Sequence, residues 1–130
     1  YLNFQNKTFL GDSGSLFLAF LISFFFIKFY NLNYINSADE IILYMMVPGL
    51  DLIRLFFLRI INKKNPLSSD RLHLHHLLIS KYNLVKSLAI ILTLIILPVM
   101  ISYFFIDVFY AILISIFSYS FLIIYLSRKN

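Results

Sequence analysis

The chain has 130 residues, 61% of them hydrophobic and 13% charged, with a net charge of +5 and no cysteine. A soluble domain of this length has too little interior to hide so much apolar surface, so a water-soluble globular fold is excluded. The missing cysteines exclude a disulfide framework and a thiolate metal site. A modest basic excess in so apolar a chain reports membrane topology rather than a nucleic-acid surface.

The first candidate feature in chain order is Phe9-Leu10-Gly11-Asp12-Ser13-Gly14-Ser15. Its glycines suit a tight turn that brings backbone close to a ligand. A helix starting at Gly14-Ser15 would then offer unpaired N–H groups and a partial positive charge to phosphate. Asp12 could hold Mg²⁺, which favours carboxylate and phosphate oxygens. Capping of the helix by Asp12, Ser13 or Ser15 is the competing explanation.

The first apolar block follows, Leu16–Tyr30, and predicts a helix over about residues 14–32. The second, Ile41–Ile61, is interrupted by Pro48, Gly49, Asp51 and Arg54. It predicts a helix over about 40–61, bent at the proline and ending near the membrane interface. Asp51 and Arg54 stand three apart on that helix and can pair. An ion pair holding the helix end and a direct role with substrate are both open, because an ionisable pair in an apolar block must face protein or water.

A polar segment over about 62–83 contains Asp70-Arg71-Leu72-His73-Leu74-His75-His76, with every histidine of the chain. On a helix His73 and His76 share a face; on an extended segment His73 and His75 do. Histidine binds metal, bonds to phosphate or moves protons near neutral pH. A solvated loop with no site is the plain alternative. Two more apolar blocks, Leu84–Phe105 and Val108–Leu126, predict helices over about 84–106 and 108–126. Each is long enough to cross the hydrocarbon layer, which takes roughly 20 helical residues.

These blocks predict an all-α, polytopic membrane helix bundle with about four crossings. Ten of the eleven Lys and Arg residues then fall on one side, and only Lys28 on the other. The positive-inside rule puts the N-terminus, the 62–83 loop and the C-terminus in the cytoplasm. Tyr30, Tyr34, Tyr103 and Tyr110 fall near the opposite ends, where aromatic belts form. The Asp12 turn and the histidine loop share the cytoplasmic side, which suggests one site for a substrate with an anionic, water-soluble end. A small membrane metal transporter using the three histidines, and a non-catalytic membrane partner, are the rival functions. The transporter expects polar residues in the last two blocks, which offer mainly Ser87, Thr93, Ser115, Ser118 and Ser120.

Three stretches, in this order, resemble the polyprenyl-phosphate N-acetylhexosamine-1-phosphate transferases, glycosyltransferase family 4, in their WecA-like form. Phe9–Ser15 is similar to the family's F-x-G-D-x-G-S segment. Pro48-Gly49-Leu50-Asp51-Leu52-Ile53-Arg54 is similar to P-x-x-D-x-x-R, and Asp70–His76 to D-R-x-H-x-H-H. The resemblance implies that Asp12 coordinates a catalytic Mg²⁺, with Mn²⁺ as a substitute. It implies that Gly11, Ser13, Gly14, Ser15 and Arg71 meet substrate and that His73, His75 and His76 act near the nucleotide-sugar phosphates. The implied reaction moves a sugar-1-phosphate, on this motif form GlcNAc-1-phosphate, from a UDP-sugar to undecaprenyl phosphate. The product is a lipid-diphosphate sugar for cell-wall or surface polysaccharide, lipopolysaccharide included. The implied setting is the bacterial inner membrane, with the active site facing the cytoplasm and a homodimer compatible with the family. The family's aspartate-rich and Asn/Asp stretches have no counterpart here, since no two aspartates are adjacent. The chain therefore reads as the C-terminal part, residues 1–130, of one membrane-embedded transferase domain, inactive on its own.

Overall fold

In the computed structural model, which describes residues 11–66 and 72–128, five helices run in chain order with no strand among the described residues. They are α1 (Gly11–Asn31), α2 (Ala38–Ile61), α3 (Leu74–Ile79), α4 (Leu84–Phe104) and α5 (Val108–Ser127). All but α3 are long and apolar enough to cross a membrane. Three of the four start or stop two or three residues from the expected positions. The larger departure is at the start of α1, where Asp12, Ser13, Gly14 and Ser15 already have helical backbone. Gly14 is therefore not a turn residue. Only Gly11, at φ +65°, takes the left-handed conformation that glycine reaches without strain. Ser15 Oγ bonds back to the Gly11 carbonyl at 2.9 Å, so its hydroxyl serves the helix interior rather than a cap.

The chain divides into two units, Tyr1–Ile41 and Ile42–Asn130. In the first unit no described residue of α1 is buried. Most of its Phe and Leu side chains lie open, as they would toward lipid. Phe20 stacks on Phe24, and Phe25 on Phe29, at the i, i+4 spacing that brings helix side chains together. The helix ends in a Schellman turn with Asn33 at φ 57°, Asn33 N bonding to the Tyr30 carbonyl and Tyr34 N to that of Phe29. At the entry to α2, Glu40 reaches back to the Asn36 N–H.

α2 is one continuous helix of 24 residues with Pro48 inside it, about 36 Å long at roughly 1.5 Å per residue. The helix runs on through Pro48 and ends at Ile61, as expected, where Lys63 at φ 54° forms a second Schellman turn. Its buried positions are Leu43, Val47, Asp51 and Leu55, one residue every four. That spacing marks the stripe that faces other elements, and it includes an aspartate.

In the second unit α4 and α5 form an antiparallel hairpin closed by Phe105–Asp107, with Tyr103, Phe105 and Tyr110 exposed at its tip. Asn83 caps α4 by accepting from Lys86 N at 3.0 Å. α5 buries Ala111, Ser115, Tyr119 and Leu126, and the two small residues let the helices approach closely. The expected polar loop 62–83 is not solvated throughout. Its second half folds into α3, and Leu74 and Leu78 are buried with Val47 of α2 and with Tyr119 and Leu126 of α5. The cause is local: Leu74, Leu77 and Leu78 repeat at helical spacing and give α3 an apolar face. The Lys81 ammonium bonds the Leu126 carbonyl, so the end of α5 lies at the same end of this unit as α3.

Candidate functional site

The buried stripe of α2 brings the Asp51 carboxylate up against the start of α3. Oδ2 lies 2.9 Å from His73 Nδ1, and the Leu74 N–H points between the two oxygens at 3.2 Å from each. His73 occupies the N-cap position of α3 but caps nothing with its own side chain. A carboxylate from α2 serves that helix terminus instead, where negative charge is favoured.

Asp51 Oδ1 accepts two further bonds, from Arg54 Nη2 at 2.8 Å and from the Tyr119 hydroxyl at 3.0 Å. Arg54 Nε donates to the Tyr119 oxygen at 2.9 Å, and its Nη2 also reaches the Leu72 carbonyl at 2.6 Å. Carboxylate, guanidinium and phenol thus form a closed triangle tied to the backbone before His73. The side chains of Asp51 and Arg54 are only 11% and 16% exposed, so the pair is largely withdrawn from solvent. Asp51 lies ten residues, roughly 15 Å, from the end of α2, and Arg54 seven. Ionisable groups at such depth in a spanning helix are rare, which makes the pair a candidate functional site. Full satisfaction of their bonds is what makes them tolerable, and no described buried side-chain nitrogen or oxygen lacks a partner.

The three histidines meet in a way that neither a helix nor a strand would give. His73 is still extended, at φ −58° and ψ 149°, and the chain turns into α3 immediately after it. The His73 and His75 rings stack at 5.7 Å between centroids, and His75 and His76 lie 4.2 Å apart. His75 stands in the middle. Desolvation and then the adjoining His76 and His73 rings hold its pKa below the usual histidine value, against a smaller opposing pull from Asp51. The neutral form of His75 is thereby favoured. His73, His75 and Asp51 line a cleft of about 330 Å³ together with Val47, Pro48, Ile91 and Ile95, and its lining is mostly apolar.

Of the residues marked in the sequence, His73, His75 and His76 come together, and Asp51 and Arg54 join them. Asp12 is exposed in the first described turn of α1, in the first unit, with Ser13 and Ser15 also exposed. Arg71 and Asp70 lie outside the described residues. Tyr119 was not marked; its only signal is a hydroxyl in mid-span, four residues after buried Ser115. Among the described residues no three His, Asp or Glu side chains are arranged to hold a metal ion. In comparisons with known proteins, no family model, curated protein or solved structure matches the chain.

Proposed function

We propose that the protein serves the transfer of a sugar-1-phosphate, GlcNAc-1-phosphate by its motif form, from a UDP-sugar to a polyprenyl phosphate such as undecaprenyl phosphate. The observation that carries this reading is convergence. Two of the three stretches that resemble the transferases, Pro48–Arg54 and the histidine segment, meet at one carboxylate, with Asp51 Oδ2 2.9 Å from His73 Nδ1. Segments with no shared task have no reason to build one satisfied network inside a spanning helix. The reading puts this site on the cytoplasmic side of a bacterial plasma membrane, where soluble nucleotide sugar and lipid phosphate can both arrive.

The third stretch supplies the exposed Asp12. A single open carboxylate fits an ion that keeps several waters and takes other ligands from phosphate. Asp12 would hold Mg²⁺, or Mn²⁺ in its place, and the ion would supply charge neutralisation at the diphosphate. Gly11, Ser13 and Gly14 would bring backbone and hydroxyl donors to phosphate, and Arg71 a charge-assisted bond. His73, His75 and His76 would hold or exchange protons at the reacting phosphates. In the transfer, a lipid-phosphate oxygen bonds to the β-phosphorus of the UDP-sugar. The bond from that phosphorus to the oxygen bridging the two phosphates breaks, and UMP leaves with the bonding pair. The metal-transport reading of the histidines has no comparable observation behind it.

The test is transfer of radiolabelled sugar from UDP-GlcNAc into extracted lipid, in membranes that contain the whole transferase of which this reading makes residues 1–130 a part. Label incorporation should require undecaprenyl phosphate and Mg²⁺, release UMP one for one, and disappear in Asp12→Asn with helicity retained. Undiminished transfer by Asp12→Asn would sink the assignment.

A further inference from the structure

His73 has two ring nitrogens, and among the described residues only one of them is committed. Nδ1 lies 2.9 Å from Asp51 Oδ2. An ionised carboxylate is purely an acceptor, so Nδ1 carries the proton in that bond. The carboxylate itself cannot swing away, because its other oxygen receives Arg54, Tyr119 and the Leu74 N–H. Arg54 is held in turn by Tyr119 and by the Leu72 carbonyl. The stacked His75 ring limits rotation on the other side. We propose that Asp51, clamped by Arg54 and Tyr119, is a positioning residue that fixes His73 with its proton on Nδ1 and leaves Nε2 as the nitrogen that meets ligand. A phosphate or hydroxyl in the cleft then exchanges a proton with His73 at Nε2 alone. A carboxylate behind an imidazole acts in this way by setting tautomer and orientation, without taking the proton itself.

This rests on the transferase reading for the identity of the ligand but not for the state of the ring. Nitrogen NMR of the protein with labelled histidine, in nanodiscs above pH 7, reads the tautomer directly. His73 should carry its proton on Nδ1 in the wild type and lose that preference in Asp51→Asn. In the transfer assay Asp51→Asn should cut turnover by about 100-fold or more with KM within about threefold. Tyr119→Phe removes only the hydroxyl and keeps the ring; it should lower turnover by about three- to tenfold at unchanged KM and displace the pH profile. A wild-type His73 protonated at Nε2 with bare Nδ1, or the same tautomer in Asp51→Asn, overturns the proposal. Should Asp51→Asn fail to fold, Tyr119→Phe decides: unchanged turnover and an unchanged pH profile overturn the clamp. The predicted tautomer without any transfer by the wild type sinks the transferase reading and leaves the positioning role standing.

Discussion

α1 and α2 are both apolar helices of spanning length, yet their polar residues behave in opposite ways. In α1 the hydroxyls of Ser15 and Ser23 bond the carbonyls of Gly11 and Ala19, four residues back. They satisfy themselves within the helix and commit it to nothing else. In α2 the polar side chains on the inward stripe reach residues far away in sequence: Asp51 to His73 and Tyr119, Arg54 to Leu72 and Tyr119. A polar residue inside a span therefore marks a site by the range of its bonds, not by its presence. Ser87, Thr93 and Ser118 follow the local pattern as well, with bonds to Asn83, Ala89 and Ser115.

Asp51→Ala should break the contrast most severely. It leaves the guanidinium of Arg54 largely withdrawn from solvent without its partner and uncaps α3, a loss of about 3–5 kcal/mol. Reversible unfolding in mixed micelles measures it. Leu78→Ala comes next, because Leu78 is 0% exposed and fills the space between α3, α2 and α5. It should cost about 2–4 kcal/mol in the same measurement, with α3 losing amide-exchange protection first. Tyr119→Phe should cost about 0.6 kcal/mol and no more than about 1.7, the range for single hydrogen bonds between spanning helices. Ser23→Ala, the matching change on α1, should stay within about 0.5 kcal/mol of the wild type. If Ser23→Ala and Asp51→Ala cost the same, the distinction between local and long-range bonds carries no weight.

The pH dependence should be smaller and has a definite sign. The folded state holds His75 below its ordinary pKa of 6.5, so between the two values the unfolded chain binds more protons. His75 thus costs no stability above about pH 6.5. Stability falls as pH drops through that value and levels off below the folded pKa. In His75→Gln this component should vanish from a plot of unfolding midpoint against pH.

The four spans and the histidine cluster were legible in the sequence because length, hydropathy and the grouping of every histidine are local signals. The placement of Asp51 was half legible. Its spacing from Arg54 announced the pair, but its bonds to His73 and Leu74 depend on α3 folding back against α2. That fold-back comes from Leu74 and Leu78, which looked like minor apolar residues in a polar loop. Tyr119 could not be found from spacing, since one tyrosine in an aromatic-rich span resembles the belt tyrosines near the helix ends. The start of α1 misled for the opposite reason. Gly11 and Gly14 both suggest a turn, but an acidic first turn and a back-bonding serine suit a helix.

The central claim is that the acid of α2 and the histidine segment are one unit, and a double-mutant cycle measures it most directly. Asp51→Asn, His73→Gln and the double variant should be compared in transfer rate and in unfolding free energy. A linked pair predicts that the double variant loses no more activity than the worse single variant, with a coupling energy of about 1.5–3 kcal/mol in stability. Losses that simply add in both measurements would contradict it.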